Sequence, residues 1–252
     1  MTFQMQRRIL PQLVWNQQVY GQRILDRLRP GMRWLDFGCG KRLLCNGLEN
    51  LESELSKFPF VGLDPSEENL KQQPPNVLRV LADGHHTPFA DNSFELITGN
   101  MVIEHLQNPG LVFQELHRIL APGGLILLHT PNLANYLVFG NHVLSTVLPR
   151  RLHAAIVGTS EKRAEKEIYP TFYRANTRGK LLKLANSHLD LAVEYLPTPR
   201  PFFHYFAPLA LVELLLTRLL QFSPLQQFGA TLLISMRKPL PETSRRTMVP
   251  AA

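Results

Sequence analysis

Cysteine is scarce in this chain: among 252 residues there are two, Cys39 and Cys45. They stand too close together for a disulfide-stapled framework, and such usage fits a reducing, cytoplasmic setting. The opening stretch, MTFQMQRRILPQLVW, lacks the continuous apolar segment of a secretory signal. Internal repeats and low-complexity tracts are missing too, which excludes solenoid and linker-like architectures. Acid is in short supply, with 20 acidic against 27 basic residues and a net charge of +7. That balance suits an anionic membrane surface or nucleic acid, or a merely basic soluble protein. The basic residues are scattered and are not interleaved with aromatics, so no nucleic-acid partner is expected. What remains, 44% hydrophobic and 19% charged residues, describes a globular chain long enough for one sizeable α/β domain with elaborations.

The apolar pattern alternates between helical and extended segments. Residues 16–29 carry Val19, Ile24, Leu25 and Leu28 at helical spacing, and Pro30-Gly31 stops them. RWLDF, FPFVGLD, VLRVLAD, SFELITGNMV and LILLHTP read as five successive strands. Between them LLCNGLENLESELSK, SEENLKQ with Ser66 as its cap, and GLVFQELHRIL ending at APGG read as helices. TRGKLLKLANSH, with Thr177 as a cap, reads as a further helix; LDLAVEYLP and ATLLISMRK supply two more strands. The alternation implies a Rossmann-like, doubly wound α/β fold: a mostly parallel seven-stranded sheet with helical insertions. The expected layout is an N-terminal helical segment over 1–30, a main domain over 31–239 with insertions at 133–176 and 198–229, and a disordered tail over 240–252.

In an open parallel sheet, ligands bind beyond the carboxyl ends of the strands. LDFGCGKRLL ends the first strand in a turn with Gly38 and Gly40, where the backbone can take unusual dihedrals and a ligand can come close. A helix start just after it would offer free N–H groups and a positive dipole end. Asp64 ends the second strand and suits two vicinal ribose hydroxyls, since each carboxylate oxygen accepts a hydrogen bond. Asp83 ends the third and is placed for an adenine amino group. Each acid also has a plainer reading as a turn or cap residue. A dinucleotide fingerprint would need a third glycine, but Gly38-Cys39-Gly40-Lys41-Arg42-Leu43 has none. These residues alone therefore leave two nucleotide cofactors open.

Taken together, WLDFGCG, VGLDPS, LADGHHTPFADNSFELI and VIEHLQNPGLVFQELHRILAPGGLILLHTPN resemble the class I S-adenosylmethionine-dependent methyltransferases, in the small-molecule group that includes ubiquinone-type enzymes. The resemblance covers about residues 33–132 and implies S-adenosylmethionine as cofactor. It implies cofactor-binding roles for Asp36, Gly38 and Gly40 at the methionine-end loop, Asp64 at the ribose, Asp83 and Gly84 at the adenine, and Asn100 and Met101 near the sulfonium. Arg42 departs from it, at a place where many relatives have a third glycine.

The reaction it implies is in-line displacement at the sulfonium methyl, for which positioning supplies much of the rate. A hydroxyl acceptor needs a base, and Glu104-His105 beyond the fourth strand are the catalytic candidates, His105 the better by its chemistry. Glu104 and His105 also have a structural reading, as ties between loop and helix ends. His85-His86 lack a third ligand at metal-binding spacing, so no metal is expected. The first insertion can fold over the ligand edge as a lid, with Tyr136, Tyr169, Tyr173 and Arg174 as substrate contacts. In the second, FAPLALVELLLTRLLQF is too short to span a bilayer. It places Glu213, Thr217, Arg218 and Gln221 on one side of a helix and leucines on the other. Own core, a dimer face and peripheral membrane contact through 204–222 are its three readings. The function expected is methyl transfer to a small-molecule or lipid- or sugar-linked acceptor, in the cytoplasm or peripheral to the inner face of a membrane. The competing readings are a non-catalytic S-adenosylmethionine-binding module and a nicotinamide-dependent oxidoreductase.

Overall fold

The structure, a computed structural model, describes residues 8–10, 14–44, 47–149, 152, 169–185, 189–197 and 207–241. The elements, in order, are α1 (Asn16–Leu25), β1 (Trp34–Phe37), α2 (Glu49–Leu55), β2 (Val61–Asp64), α3 (Glu67–Gln72), β3 (Leu78–Leu81) and β4 (Phe94–Asn100). Then come α4 (Pro109–Ile119), β5 (Leu120–Pro131), α5 (Tyr136–Val147), α6 (Arg178–Ala185), β6 (Asp190–Leu196), α7 (Ala207–Leu219) and β7 (Thr231–Arg237). The described strands form one seven-stranded sheet of order β3-β2-β1-β4-β5-β7-β6. β1 to β5 pair in parallel, and β7 runs antiparallel to both β5 and β6.

The pleat divides the apolar residues between two cores. Leu35, Phe37, Ile97 and Ile126 point to one face, where Val112, Phe113 and Leu116 of α4 and Leu181 of α6 cover them. Trp34, Leu96, Leu125 and Leu127 point to the other, under Tyr20 and Ile24 of α1 and Leu55 of α2. β5, near the middle, is buried on both faces, as its continuous apolar run requires. Helices thus cover both faces, the doubly wound arrangement that the alternation implied.

Local signals behave as chemistry dictates where they are strong. The Ser66 hydroxyl caps α3 by accepting from the Asn69 N–H at 3.3 Å. Thr177 does the same for α6 through the Lys180 N–H at 3.4 Å. Two helices are shorter than their patterns. α1 ends at Leu25, and the chain passes through turns before Gly31, whose φ is +77°. α2 begins only at Glu49, so the helix expected directly after the glycine turn is not there. Gly47, at φ +93°, interrupts the run just before α2, and the Glu52 carboxylate takes up the N–H groups of Leu43 at 3.0 Å and Leu44 at 3.4 Å.

The stretch TPFADNSFEL is fixed by charge. Glu115, buried on α4, accepts the Thr87 N–H at 2.7 Å and the Thr87 hydroxyl at 2.6 Å. Arg118 clamps the same carboxylate at 2.7 and 2.8 Å and reaches Asp91 at 2.7 Å and the Phe89 carbonyl at 2.8 Å. The Arg118 guanidinium, above all, holds the Glu115 carboxyl down at about 2.

Parts of the lid at 150–151 and 153–168, the start of the second insertion at 198–206, and the tail beyond 241 lie outside the described residues. No described helix is long and apolar enough to cross a membrane.

Candidate active site

A cleft of about 360 Å³ opens at the carboxyl ends of β1, β2 and β4. Phe37 and Gly38 form its floor, Asp83, Gly84 and His85 one wall, and Val102 and His105 the other, with Tyr169 and Phe172 of the lid above. Of the residues singled out from sequence, it therefore brings together Gly38, Asp83, Gly84, His105 and Tyr169. A larger groove, about 610 Å³, lies far along the sheet beside β6 and the end of α7. It holds none of those residues.

The floor is built for close approach. Gly38 has φ +64°, and a Cβ there would stand 2.3 Å from Val102 Cγ2. A Cβ at Gly84 would stand 2.5 Å from the Phe37 ring. Gly40 also needs positive φ, at +54°, but has open space around its Cα. The turn is braced from below. The Cys39 N–H donates to the Leu63 carbonyl at 3.0 Å, and the Gln73 amide donates to the Cys39 and Gly40 carbonyls, each at 3.0 Å.

Asp64 is 5% exposed. Its Oδ2 accepts the Gly40 N–H at 2.9 Å, and its Oδ1 accepts the Ser66 N–H at 2.9 Å and the Asn69 amide at 3.1 Å. Asn69 also donates to the Tyr169 hydroxyl at 3.0 Å, tying the lid to the end of β2. Asp83 is exposed; its carboxylate accepts the His85 N–H at 2.8 Å and contacts the His85 ring. The His85 N–H, first of all, keeps that carboxyl below its usual range. His85 Nε2 is buried in the cleft wall with no hydrogen-bond partner.

Asp36 lies on the opposite face of β1 from the cleft. It accepts the Thr98 hydroxyl at 2.6 Å, and Thr98 accepts the Trp34 indole N–H at 2.8 Å. Burial pushes its carboxyl up to about 7, against the pull of Thr98. Folding therefore favours the protonated form. This contribution to stability is complete below the ordinary carboxyl value of 3.8 and is lost as pH rises through about 7. Asp36→Asn keeps an acceptor for Thr98 and removes the titration. The wild type is expected to lose melting temperature between pH 4.5 and 7.5 relative to the variant, measured by thermal melts across that range; parallel curves would contradict it.

Asn100, at the end of β4, faces His129 and donates to the Leu43 carbonyl at 3.2 Å. Burial pushes His129 down to about 4, so it is neutral, and it stacks on Tyr20 at 5.6 Å. Met101 follows with φ +55° and a half-open side chain. Glu104 sits under the cleft wall, 3% exposed, with the Thr130 hydroxyl donating to it at 2.8 Å. Burial raises its carboxyl above the usual range, partly offset by His105. Its backbone carbonyl receives the N–H groups of Phe172 at 2.7 Å and Tyr173 at 3.1 Å. His105 Nδ1 stands 3.0 Å from the Pro170 carbonyl, and Nε2 stands 4.0 Å from Glu104.

The other lid candidates are placed apart. Tyr173 is buried beside Glu104, with His142 edge-on at 4.9 Å. Arg174 donates to the Gln107 carbonyl at 2.6 Å. Tyr136 hydrogen-bonds Glu213 on α7, and burial with that neighbour raises its hydroxyl to about 12. Arg42 turns away from the cleft and pairs with Glu52, the same residue that holds Leu43 and Leu44. Sequence reading missed this partner and missed Asn69, Gln73, Thr98 and Thr130. They are ordinary polar residues without motif spacing, and only the fold brings Gln73 to the turn, Asn69 to the lid, Thr98 to Asp36 and Thr130 to Glu104.

The fold has solved counterparts. YcgJ of Bacillus subtilis superposes with a TM-score of 0.55 at 15% identity, over 89% of this chain and all of that one. A Haemonchus contortus phosphoethanolamine N-methyltransferase, solved with phosphomonomethylethanolamine and S-adenosylhomocysteine, gives 0.52 at 17%, over 95% of this chain and 57% of that one. A ubiquinone biosynthesis O-methyltransferase of Ruegeria pomeroyi is 31% identical over 144 residues, 51% of this chain and 54% of that protein. The chain spans about half the length, or less, of the curated relatives it matches. A family profile described as a methyltransferase domain matches residues 13–178, the stretch that runs from α1 through the cleft and the lid. With well over half of the chain matched, and the matched strands being those that form the cleft, this protein belongs to the methyltransferase domain family.

Proposed function

We propose that this protein moves a methyl group from S-adenosylmethionine onto a small hydroxyl-bearing acceptor, free or lipid-linked. The observation that carries this reading is the cleft at the carboxyl ends of β1, β2 and β4, floored by a glycine with no room for a side chain.

The residues present fit the cofactor. A carboxylate only accepts, so His85 Nδ1 carries a proton toward Asp83, and the buried, partnerless Nε2 is an acceptor without a donor. The exocyclic amine of adenine is such a donor, with Asp83 beside it. Gly38 lets the ligand lie against the β1 turn, whose backbone Asp64 and Gln73 hold. Three of the roughly four acceptor positions on Asp64 are used within the chain, which leaves one direction for a ribose hydroxyl. Asn100 and Met101, at and just after the end of β4, lie outside the lining of the cleft.

Bound there, S-adenosylmethionine supplies a methyl group on a positively charged sulfur, so the protein needs no covalent intermediate. The acceptor oxygen forms its new bond to carbon as the carbon–sulfur bond breaks, and its proton must leave. His105 is positioned to take it. The Pro170 carbonyl can only accept, so Nδ1 holds the proton and Nε2 is the free base. An oxygen acceptor is also what the name of the Ruegeria pomeroyi relative implies for that protein.

The nicotinamide reading fits poorly. Its sheet runs 3-2-1-4-5-6, whereas β7 is wedged here between β5 and β6 in reverse direction. Calorimetric titration decides. S-adenosylmethionine and S-adenosylhomocysteine are expected to bind and NADH to give no heat. A silent titration with S-adenosylmethionine would overturn the proposal.

A further inference from the structure

α7 turns an apolar stripe outward. Glu213 and Thr217 are 4% and 3% exposed and face inward with Ala210 and Leu214, while Val212, Leu215, Leu219 and Phe222 just beyond it are 50–63% exposed, with Arg218 exposed beside them. Those four positions advance by three, four and three residues and so form one stripe. The Tyr136 hydroxyl at the start of α5 faces Glu213, and Ala210 and Leu214 are buried on the same side of α7. α5 repeats the pattern. It has no buried residue, and Phe139, Val143 and Val147, spaced by four, stand 55%, 39% and 73% exposed. Both helices belong to segments inserted around the core sheet, and neither stripe covers the cleft floor.

In sequence both helices lie in acid-poor stretches. From Leu133 to Ser160 the sequence holds no aspartate or glutamate, and Arg150-Arg151 follow α5. From Thr198 to Gly229 the one acid is Glu213, turned inward, against Arg200 and Arg218. Exposed apolar stripes in acid-poor, basic stretches of sequence suit a bilayer surface whose headgroups are anionic: the side chains enter the acyl boundary and Arg218, exposed beside the α7 stripe, meets phosphate. A second copy of the chain would set basic flank against basic flank. We infer that α5 and α7 seat this protein on anionic membrane surfaces, lying in the interface plane. None of the cleft residues takes part, so this surface is independent of the methyl-transfer reading.

Flotation of the full chain with phosphatidylcholine vesicles, and with vesicles of phosphatidylcholine and phosphatidylglycerol in equal parts, tests it. Binding to the mixed vesicles is expected to exceed that to the neutral ones by about tenfold or more and to weaken in high salt. Val212→Gln with Leu215→Gln is expected to lower it by about tenfold or more, with melting temperature unchanged. Three results would each overturn the inference: no binding to mixed vesicles, a dimer in size-exclusion chromatography that the double variant dissolves, or a lower melting temperature of the variant, which would mean that the chain itself covers the stripe. Titration of the same variant with S-adenosylmethionine reports on the cleft alone, which keeps a failure of the membrane surface distinct from a failure of cofactor binding.

Discussion

His105→Ala is expected to lower the turnover number by about a hundredfold or more, the usual range for losing a general base. The Michaelis constant for the acceptor and the dissociation constant for S-adenosylmethionine should hold within a few fold. The split follows from the geometry. His105 lines the cleft, with Nδ1 committed to the Pro170 carbonyl at 3.0 Å and Nε2 available. In the proposed step it takes a proton only as the new bond forms, so its loss would remove stabilisation from the transition state and leave binding alone. Added imidazole should restore part of the rate. Glu104→Gln is the informative companion. Its carboxyl is buried under the wall, and the Thr130 hydroxyl can donate equally well to an amide oxygen, so its effect is expected to be the smaller. A His105→Ala enzyme with a turnover number within threefold of wild type would remove the base from the mechanism and leave positioning to do the catalysis.

Gly38→Ala is expected to destabilise the fold by about 2–4 kcal/mol and to abolish measurable S-adenosylmethionine binding. Two costs add. An alanine held at φ +64° costs about 1 kcal/mol of backbone strain. A Cβ placed 2.3 Å from Val102 Cγ2 and 2.9 Å from its Cβ forces overpacking worth roughly 1–3 kcal/mol. Val102 is branched close to the backbone and stiff, so it must move as a unit, and it lines the cleft itself. Gly40→Ala is the control. It shares the positive φ, at +54°, but nothing lies within 4 Å of the added carbon. Its cost should stay near the strain alone, about 1 kcal/mol, with the cleft intact. Equal losses in chemical denaturation of the two variants would show that conformation, not space, is what Gly38 provides.

The two glycines also mark how far the sequence could be read. That a turn with unusual dihedrals follows β1 is visible in LDFGCG, because glycine is the residue that bears positive φ cheaply. That one glycine faces Val102 and the other open space is not visible, because Val102 comes from the far end of β4. Arg42 shows the same limit. In sequence it is an intruder at the place of a third glycine; in space it is paired with Glu52, which also takes up the N–H groups that a helix start would have offered. The helix expected there was drawn from apolar periodicity, which Gly47, at φ +93°, interrupts.

Local chemistry was determined by the sequence alone: the alternation of strands and helices, the caps Ser66 and Thr177, the glycine turn, and acids at the ends of successive strands. These depend on residues within a few positions of one another, where propensity and hydrogen bonding act directly. Only the tertiary structure decided which way α7 faces, that β7 enters the sheet reversed between β5 and β6, and which acids reach the cleft. Helical periodicity shows that α7 has two unlike sides, but it cannot say which turns inward; in the fold Glu213 faces Tyr136 of a different insertion, and Ala210 and Leu214 are buried beside it. Asp64 could be read as an acid free for a ligand until Gly40, Ser66 and Asn69 were seen to share it. Distant partners such as Gly40 and Asp64, or Tyr136 and Glu213, leave no periodic trace, so only the folded backbone can bring them together.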